Sequence, residues 1–272
     1  MRCIQRHTAY ASRADVVRLI ILADTHLGNA SADERSLRLL AEQIKREPLT
    51  YWCHLGDMCE YINLHDPRFD PSDLAGWMMT GETLCDIGRA ETRRFLDIMA
   101  PVRDKCLAIV QGNHERQILR HSEVDAYGVL VEGLADGEND HRLDDRGFVT
   151  WVFRRGDNGG KWALRMFLTH GWAGGRSAGN AANKLGQLAQ QVDGVDVIAM
   201  GHLHDPAYRP MAVMRPGPRR HRTTTVHTIS APALVSQMAY GEAVNMPPHP
   251  TGWAEVHITP DKQTMSVELV TT

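Results

Sequence analysis

The 272-residue chain is poor in aromatics, 6% of the total, and has no apolar run near the roughly 20 residues a membrane-spanning helix needs. Neither sign of charge dominates: 30 Lys and Arg stand against 33 Asp and Glu, for a formal net charge of -3. That balance argues against a protein that holds nucleic acid mainly by net positive charge, while leaving room for a local basic patch. Paired cysteines are lacking too. Cys3, Cys53, Cys59, Cys85 and Cys106 are odd in number and form no Cys-x-x-Cys pair, which fits reduced thiols in a cytoplasmic protein. The first 15 residues are polar, interrupted by Arg2, Arg6, His7 and Arg13, and carry no apolar core of a signal peptide. No repeat, low-complexity tract or linker breaks the chain, so one domain is expected over residues 16–272 behind a loose arm, 1–15. Membrane and secretory classes drop out. What the chain has in quantity is histidine, 14 in all and unevenly placed.

Residues 16–23 (VVRLIILA) are an apolar run of strand length, the pattern of a strand buried on both faces. Ser31 and Glu34 make a capping box for a helix with Leu37, Leu40, Ala41 and Ile44 on one face, stopped by Pro48. A second strand is expected over 50–55, a long loop over 63–81, a helix over 82–99 and a third strand over 106–110. This strand–helix rhythm implies parallel βαβ units. The second half reads differently. Strands over 147–154 and 162–169 flank the turn residues 156–160; a helix over 180–192 and a strand over 195–200 follow. Three more strand-like stretches, 224–229, 252–258 and 264–270, complete the chain. The economical architecture is an α/β fold: a four-layer α/β/β/α sandwich of two mixed β-sheets flanked by helices.

Five predicted strands end in residues able to hold a metal: Asp24 with His26, Asp57, Asn113 with His114, His170, and His202 with His204. Ligands of open α/β sheets sit beyond the carboxyl ends of strands, so these five segments can converge on one crevice. Aspartate, histidine and an asparagine carbonyl form a mixed oxygen and imidazole set suited to Mn, Fe, Zn or related ions rather than to Ca. There are more ligands than one ion needs, so two ions sharing a carboxylate is the natural count.

The ordered series Asp24-x-His26, Gly56-Asp57, Gly112-Asn113-His114-Glu115, His170 and Gly201-His202-x-His204 resembles the calcineurin-like metallophosphoesterase superfamily. Residues 66–71 (DPRFDP) and Gly174-Gly175-Arg176 are further similar to phage-type members. The resemblance implies that Asp24, His26 and His204 hold one metal, that Asn113, His170 and His202 hold the other, and that Asp57 bridges them. It implies in-line attack on phosphorus by a metal-bridging hydroxide, with no covalent enzyme intermediate. His114 would protonate the leaving-group oxygen, and Glu60, three residues after the bridging Asp57, would orient that histidine and raise its pKa. The implied cofactors are two divalent transition-metal ions, manganese first, with iron, zinc, nickel or cobalt as alternatives. The chain departs from the protein Ser/Thr phosphatases, which follow the bridging residue with Asp-Arg-Gly; here Met58-Cys59-Glu60-Tyr61 follows. It also lacks the metal-binding tyrosine of purple acid phosphatases, because the matching position is Glu60.

The expected substrates are phosphodiesters, with phosphomonoesters or nucleotides next. An inactive scaffold of the same fold is the non-enzyme alternative, opposed by the presence of all seven ligands and His114. His65, in the loop after Asp57, and Arg176, after His170, are candidate substrate contacts. The cluster Arg215, Arg219, Arg220, His221 and Arg222 reads as a charged hairpin tip or as a contact to a nucleic-acid backbone through Arg219, Arg220 and Arg222. The remaining histidines, including His54 in a strand and His249 near the C-terminus, read as core or solvated residues.

Overall fold

The computed structural model describes residues 1–137, 140–156, 159–172, 179–216, 220–236 and 248–272. Two sheets form its centre. One has the strand order β11-β10-β2-β3-β4 and the other β1-β5-β6-β7-β9-β8. In the first, β2 (Val17–Leu22), β3 (Thr50–His54) and β4 (Cys106–Ile109) run parallel, and β10 (Gly252–Thr259) and β11 (Thr264–Thr271) add an antiparallel edge. The second pairs β1 (Arg2–Tyr10) parallel to β5 (Arg146–Arg155), and β5 antiparallel to β6 (Lys161–Thr169). From β6 it continues in parallel through β7 (Val197–Met200) to β9 (Arg222–Ser230), with β8 (Ala207–Arg215) as the antiparallel edge.

The layering follows from side-chain alternation. Along β2, Leu19 and Ile21 face the other sheet and meet Trp151, Val197 and Ile229. Ile20 and Leu22 face the opposite way, into a cluster with Leu37, Leu40, Phe95 and Leu130 from the helices α1 (Glu34–Arg46), α3 (Ile87–Met99) and α5 (Ala126–Leu134). Each of these four β2 side chains is fully buried, a contribution of roughly 1.5–3 kcal/mol apiece. A third cluster, Phe167, Ile198, Leu185 and Leu188, packs α6 (Asn180–Gln191) on the outer face of the second sheet. The result is the helix–sheet–sheet–helix sandwich that the sequence predicts.

The first 15 residues are not a loose arm. Arg2–Tyr10 is an edge strand in register with β5 from Arg2 opposite Gly147 to Tyr10 opposite Arg155. Its polar residues hide the pattern because they are satisfied one by one: Arg6 donates to the carbonyls of Leu107 (2.9 Å) and Asp140 (2.7 Å), and Thr8 accepts from the Trp151 indole (2.9 Å). The single helix expected over 82–99 is two, α2 (Gly81–Cys85) and α3, because Asp86 leaves the helix and caps α3 through the amide of Arg89. The strand β8 carries Pro210, tolerated because β8 lies at the sheet edge.

Candidate metal centre

The carboxyl ends of β2, β3 and β4 from one sheet meet those of β6 and β7 from the other, and each of the seven predicted ligands stands just past one of these ends. Main-chain bonds lace the loops together. The amides of His26 and Leu27 donate to the carbonyls of Asp57 and Met58 (both 3.1 Å), and the amide of Asp24 donates to Gly56 (3.1 Å). The approach is close enough to need glycine. A Cβ on Gly56, whose φ is +100°, would lie 2.7 Å from the Gly112 main chain, and one on Gly112 would lie 2.2 Å from the Asp57 nitrogen. Five of the ligand residues are themselves left-handed: Asp24 (φ 49°), His26 (42°), Asp57 (54°), His202 (71°) and His204 (54°). Such backbone is disfavoured for residues with a Cβ by roughly 1–2 kcal/mol and persists where the surroundings impose it, commonly at functional sites.

The side chains gather into groups sized for a cation. Asp24, His26 and His204 present ligand atoms within 4.8 Å of one another, and so do Asp57, His170 and His202. A third such group joins His26, Asp57 and His114. Asn113 belongs with the second set, its Oδ1 lying 2.9 Å from His170 Nε2. Asp57 links the sets, with Oδ2 3.2 Å from His170 Nε2 and 4.0 Å from His26 Nε2. Two buried atoms at the centre, Asp24 Oδ1 and His26 Nε2, have no hydrogen-bond partner among the described residues. Buried polar atoms seldom go unsatisfied, and an acceptor oxygen beside an imidazole nitrogen suits a divalent ion. The donor set therefore fits the metals that the resemblance implies.

The ring nitrogens are oriented by their far sides. His170 Nδ1 donates to the Leu55 carbonyl (2.8 Å), which aims Nε2 at the centre. There one proton meets three acceptors: Asp57 Oδ2, Asn113 Oδ1 and, at 3.1 Å, His202 Nδ1. Burial pushes the His170 imidazole down, but the charge and hydrogen bond of Asp57 and the charge of Asp24 outweigh it and lift the pKa to about 10. Burial together with the His170 charge lowers His202 to about 4. The burial that pushes Asp24 and Asp57 up is overcome by imidazolium charge, from His204 for Asp24, held at about 2, and from His170 for Asp57.

Glu60 differs from the sequence expectation. Its carboxylate does not orient His114: Oε2 accepts from His26 Nδ1 at 2.7 Å, fixing the tautomer that leaves His26 Nε2 open. His114 Nδ1 donates instead to the main-chain carbonyl of Glu60. The reason is local. Glu60 leaves the Asp57 loop with its carbonyl toward α4 (Asn113–Ser122) and its side chain back toward β2. Burial lowers the His114 pKa, yet the charges of Asp57 and then Glu60 raise it above the ordinary value. Glu60→Gln is accordingly expected to weaken metal retention by about 10–100-fold, as loss of a carboxylate behind a ligand histidine does. Competition with a chelator measures this. An unchanged metal affinity would show that the His26 contact is incidental.

Glu115 does work that its position beside the motif only hints at. Fully buried, it accepts from the amides of Asp57 (3.0 Å), Met58 (2.7 Å) and Gly112 (2.8 Å), tying the β3 loop to the start of α4. Burial and the neighbouring Asp57 lift its pKa to about 7. His249 stands edge-on to His204 with ring centroids 5.0 Å apart, and its buried Nδ1 has no hydrogen-bond partner among the described residues. No spacing in the sequence marks it. His54 is a neutral core residue: its Nδ1 accepts from the Gly56 amide (3.2 Å), and burial lowers its pKa to about 3.

Among the described residues, no substrate candidate is gathered at the centre. His65 is exposed and makes no hydrogen bond, ion pair or ring contact with the cluster. Arg176 and Arg219 lie outside the described residues. Arg220 and Arg222 are exposed at the β8–β9 turn, beyond the amino end of β7 and so at the far edge of the sheet from His202. At about 3.3 Å per residue, nine-residue β8 sets that turn roughly 30 Å from the centre.

Among solved structures, a predicted phosphoesterase from Streptococcus pneumoniae is similar at 13% identity and a TM-score of 0.39, over 94% of this chain and 90% of that one. A metallophosphoesterase from Sphaerobacter thermophilus is similar at 16% identity and a TM-score of 0.40, over 93% and 88%. The NAD nucleotidase of Haemophilus influenzae is similar at 13% and 0.43, over 93% of this chain but 49% of that one. A search of curated proteins gives no match. The profile of the calcineurin-like phosphoesterases matches residues 17–206, from the start of β2 to just past His204 and so across all five ligand-bearing segments; the chain belongs to that family.

Proposed function

We propose that the protein hydrolyses phosphate esters, phosphodiesters first, with two divalent metal ions, of which manganese is the leading candidate. One observation supports this above the rest: two ligand groups, each sized for a cation, lie side by side, with Asp57 in one and 4.0 Å from His26 of the other, and Asp24 Oδ1 and His26 Nε2 are buried with no hydrogen-bond partner among the described residues. Asp24, His26 and His204 would hold one ion and Asn113, His170 and His202 the other, with Asp57 common to both. The ions, when bound, supply a water of lowered pKa and neutralise the phosphoryl oxygens.

The protein's own groups do the rest. The Glu60 carboxylate keeps the His26 proton on Nδ1, and the Leu55 carbonyl does the same for His170. The Glu60 carbonyl accepts a hydrogen bond from Nδ1–H of His114, leaving Nε2–H to protonate the departing alkoxide. A diester and water give a phosphomonoester and an alcohol. The case for diesters rests on the absence of an arginine in the four positions after Asp57. All five cysteines are unpaired and no described helix is long and apolar enough to cross a membrane, so the cytoplasm is the proposed location.

The test is hydrolysis of bis(p-nitrophenyl) phosphate beside p-nitrophenyl phosphate, on metal-stripped protein with Mn, Ni, Zn or Mg restored. Metal-dependent turnover favouring the diester is expected. A preference for the monoester would redirect the assignment to nucleotides and small phosphates, and silence with every ion would favour a non-catalytic scaffold.

A further inference from the structure

The four positions after Asp57 supply no cation, but the loop that follows does. Arg68 is reached eleven residues on, in the segment between Tyr61 and the 3-10 turn Pro71–Asp73. Its side chain is clamped. Nε donates to Asp66 Oδ1 (3.0 Å) and Nη2 to Asp66 Oδ2 (2.8 Å), a two-toothed fork with a carboxylate that is itself buried. Nη2 also donates to the side-chain oxygen of Gln117, and the Arg68 amide returns to Asp66 Oδ1 at 2.9 Å. A further bond, Asn63 Nδ2 to Ser122 Oγ (2.7 Å), lays the same loop along α4.

The Gln117 contact places the guanidinium. Gln117 follows His114 by three residues on α4, and side chains so spaced are neighbours on one helix face, about 5–6 Å apart at Cβ. Arg68 therefore lies one helical turn from the proposed acid. Electrostatics agree with the placement: the charge of Arg68 is felt at Asp57 and Glu60 and opposes protonation of His114. Three of the five N–H groups of Arg68 are spent on Asp66 and Gln117. The two on Nη1 have no partner among the described residues, and the side chain is 30% exposed. A cation held this firmly, with one nitrogen left over toward solvent, is arranged to receive an anion.

We propose that Arg68 binds substrate, its Nη1 donating to a phosphate oxygen on the leaving-group side of the centre; the inference rests on the phosphoesterase reading above. That oxygen belongs either to the phosphoryl group being transferred or to a neighbouring phosphate of a polynucleotide. Asp66 and Gln117 act through Arg68 and are positioning residues.

The experiment compares wild type, Arg68→Ala and Arg68→Lys in metal-loaded form. Arg68→Ala is expected to raise the inhibition constant of inorganic phosphate and the KM for ester by about 10–100-fold, the range for a lost charged hydrogen bond. Bound metal should be unchanged and kcat should change less than KM. Arg68→Lys should recover part of the loss, since a point charge replaces the fork only in part. A KM effect on bis(p-nitrophenyl) phosphate assigns the contact to the transferred group; an effect confined to a short oligothymidylate assigns it to a neighbouring phosphate. Unchanged KM and phosphate inhibition with both esters would overturn the proposal. So would a fall in kcat and Tm with phosphate inhibition intact, the signature of a residue that only pins its loop. Calorimetric titration of inorganic phosphate reads the contact without turnover, so a failed phosphoesterase reading and a failed Arg68 contact remain distinguishable.

Discussion

Asp57→Asn is expected to remove at least about a thousandfold of metal-dependent turnover, roughly 4 kcal/mol of barrier at about 1.4 kcal/mol per decade, and to lower the metal content measured after dialysis. The substitution is nearly isosteric, so Asp57 Oδ1, which accepts from the His114 amide at 2.9 Å, keeps its counterpart and the start of α4 stays in place. What changes is Oδ2, the atom that faces His170 on one side and His26 on the other. An amide nitrogen there offers protons where both ligand groups need an anionic acceptor. Retention of both ions and most of the rate by the asparagine variant would remove Asp57 from the bridging position.

His114→Ala should behave differently. Loss of a general acid typically costs about 10²–10⁴-fold, and the loss should be largest for esters with poor leaving groups, which depend on protonation most. Both metals should remain, because the two groups headed by Asp24 and by Asp57 with His170 do not require His114. The pH profile gives a second reading. As the proposed acid, His114 would act in its protonated form; burial lowers its pKa, but the charges of Asp57 and Glu60 outweigh that and raise it. Activity should therefore hold below that pKa and fall as pH rises through it. In the alanine variant this alkaline limb should vanish. Loss of metal in His114→Ala would mean that the third group, His26 with Asp57 and His114, is the one that holds an ion.

The candidate ligand set was legible in the sequence because strand ends are punctuated: an apolar run stops, and a carboxylate, carboxamide or imidazole follows within one to four residues. The two-faced strand β2 was legible for the same reason, as every residue from Leu19 to Leu22 is apolar and both faces are covered. Edges read poorly. The strands β1 and β8 each lie at the rim of the second sheet, where polar residues are tolerated and alternation blurs. The role of Glu60 was misread because a sequence gives the position of a residue but not which of its groups points where; the side chain serves His26 while the carbonyl serves His114. His249, and Arg68 as a proposed substrate contact, were invisible because loops, not periodic elements, carry them.

Neither sheet alone carries either of the two groups proposed to hold an ion. Asp24, His26, Asp57 and Asn113 hang from the ends of β2, β3 and β4, while His170, His202 and His204 hang from β6 and β7. A bound ion would thus act as a stitch across the seam between the sheets, and it could be cast only after residues far apart along the chain have docked. Competence for chemistry should then arrive last in refolding, after secondary structure has returned. An ion that binds the docked state alone shifts the balance toward it, so the same stitch that prepares the reaction would also hold the sandwich shut.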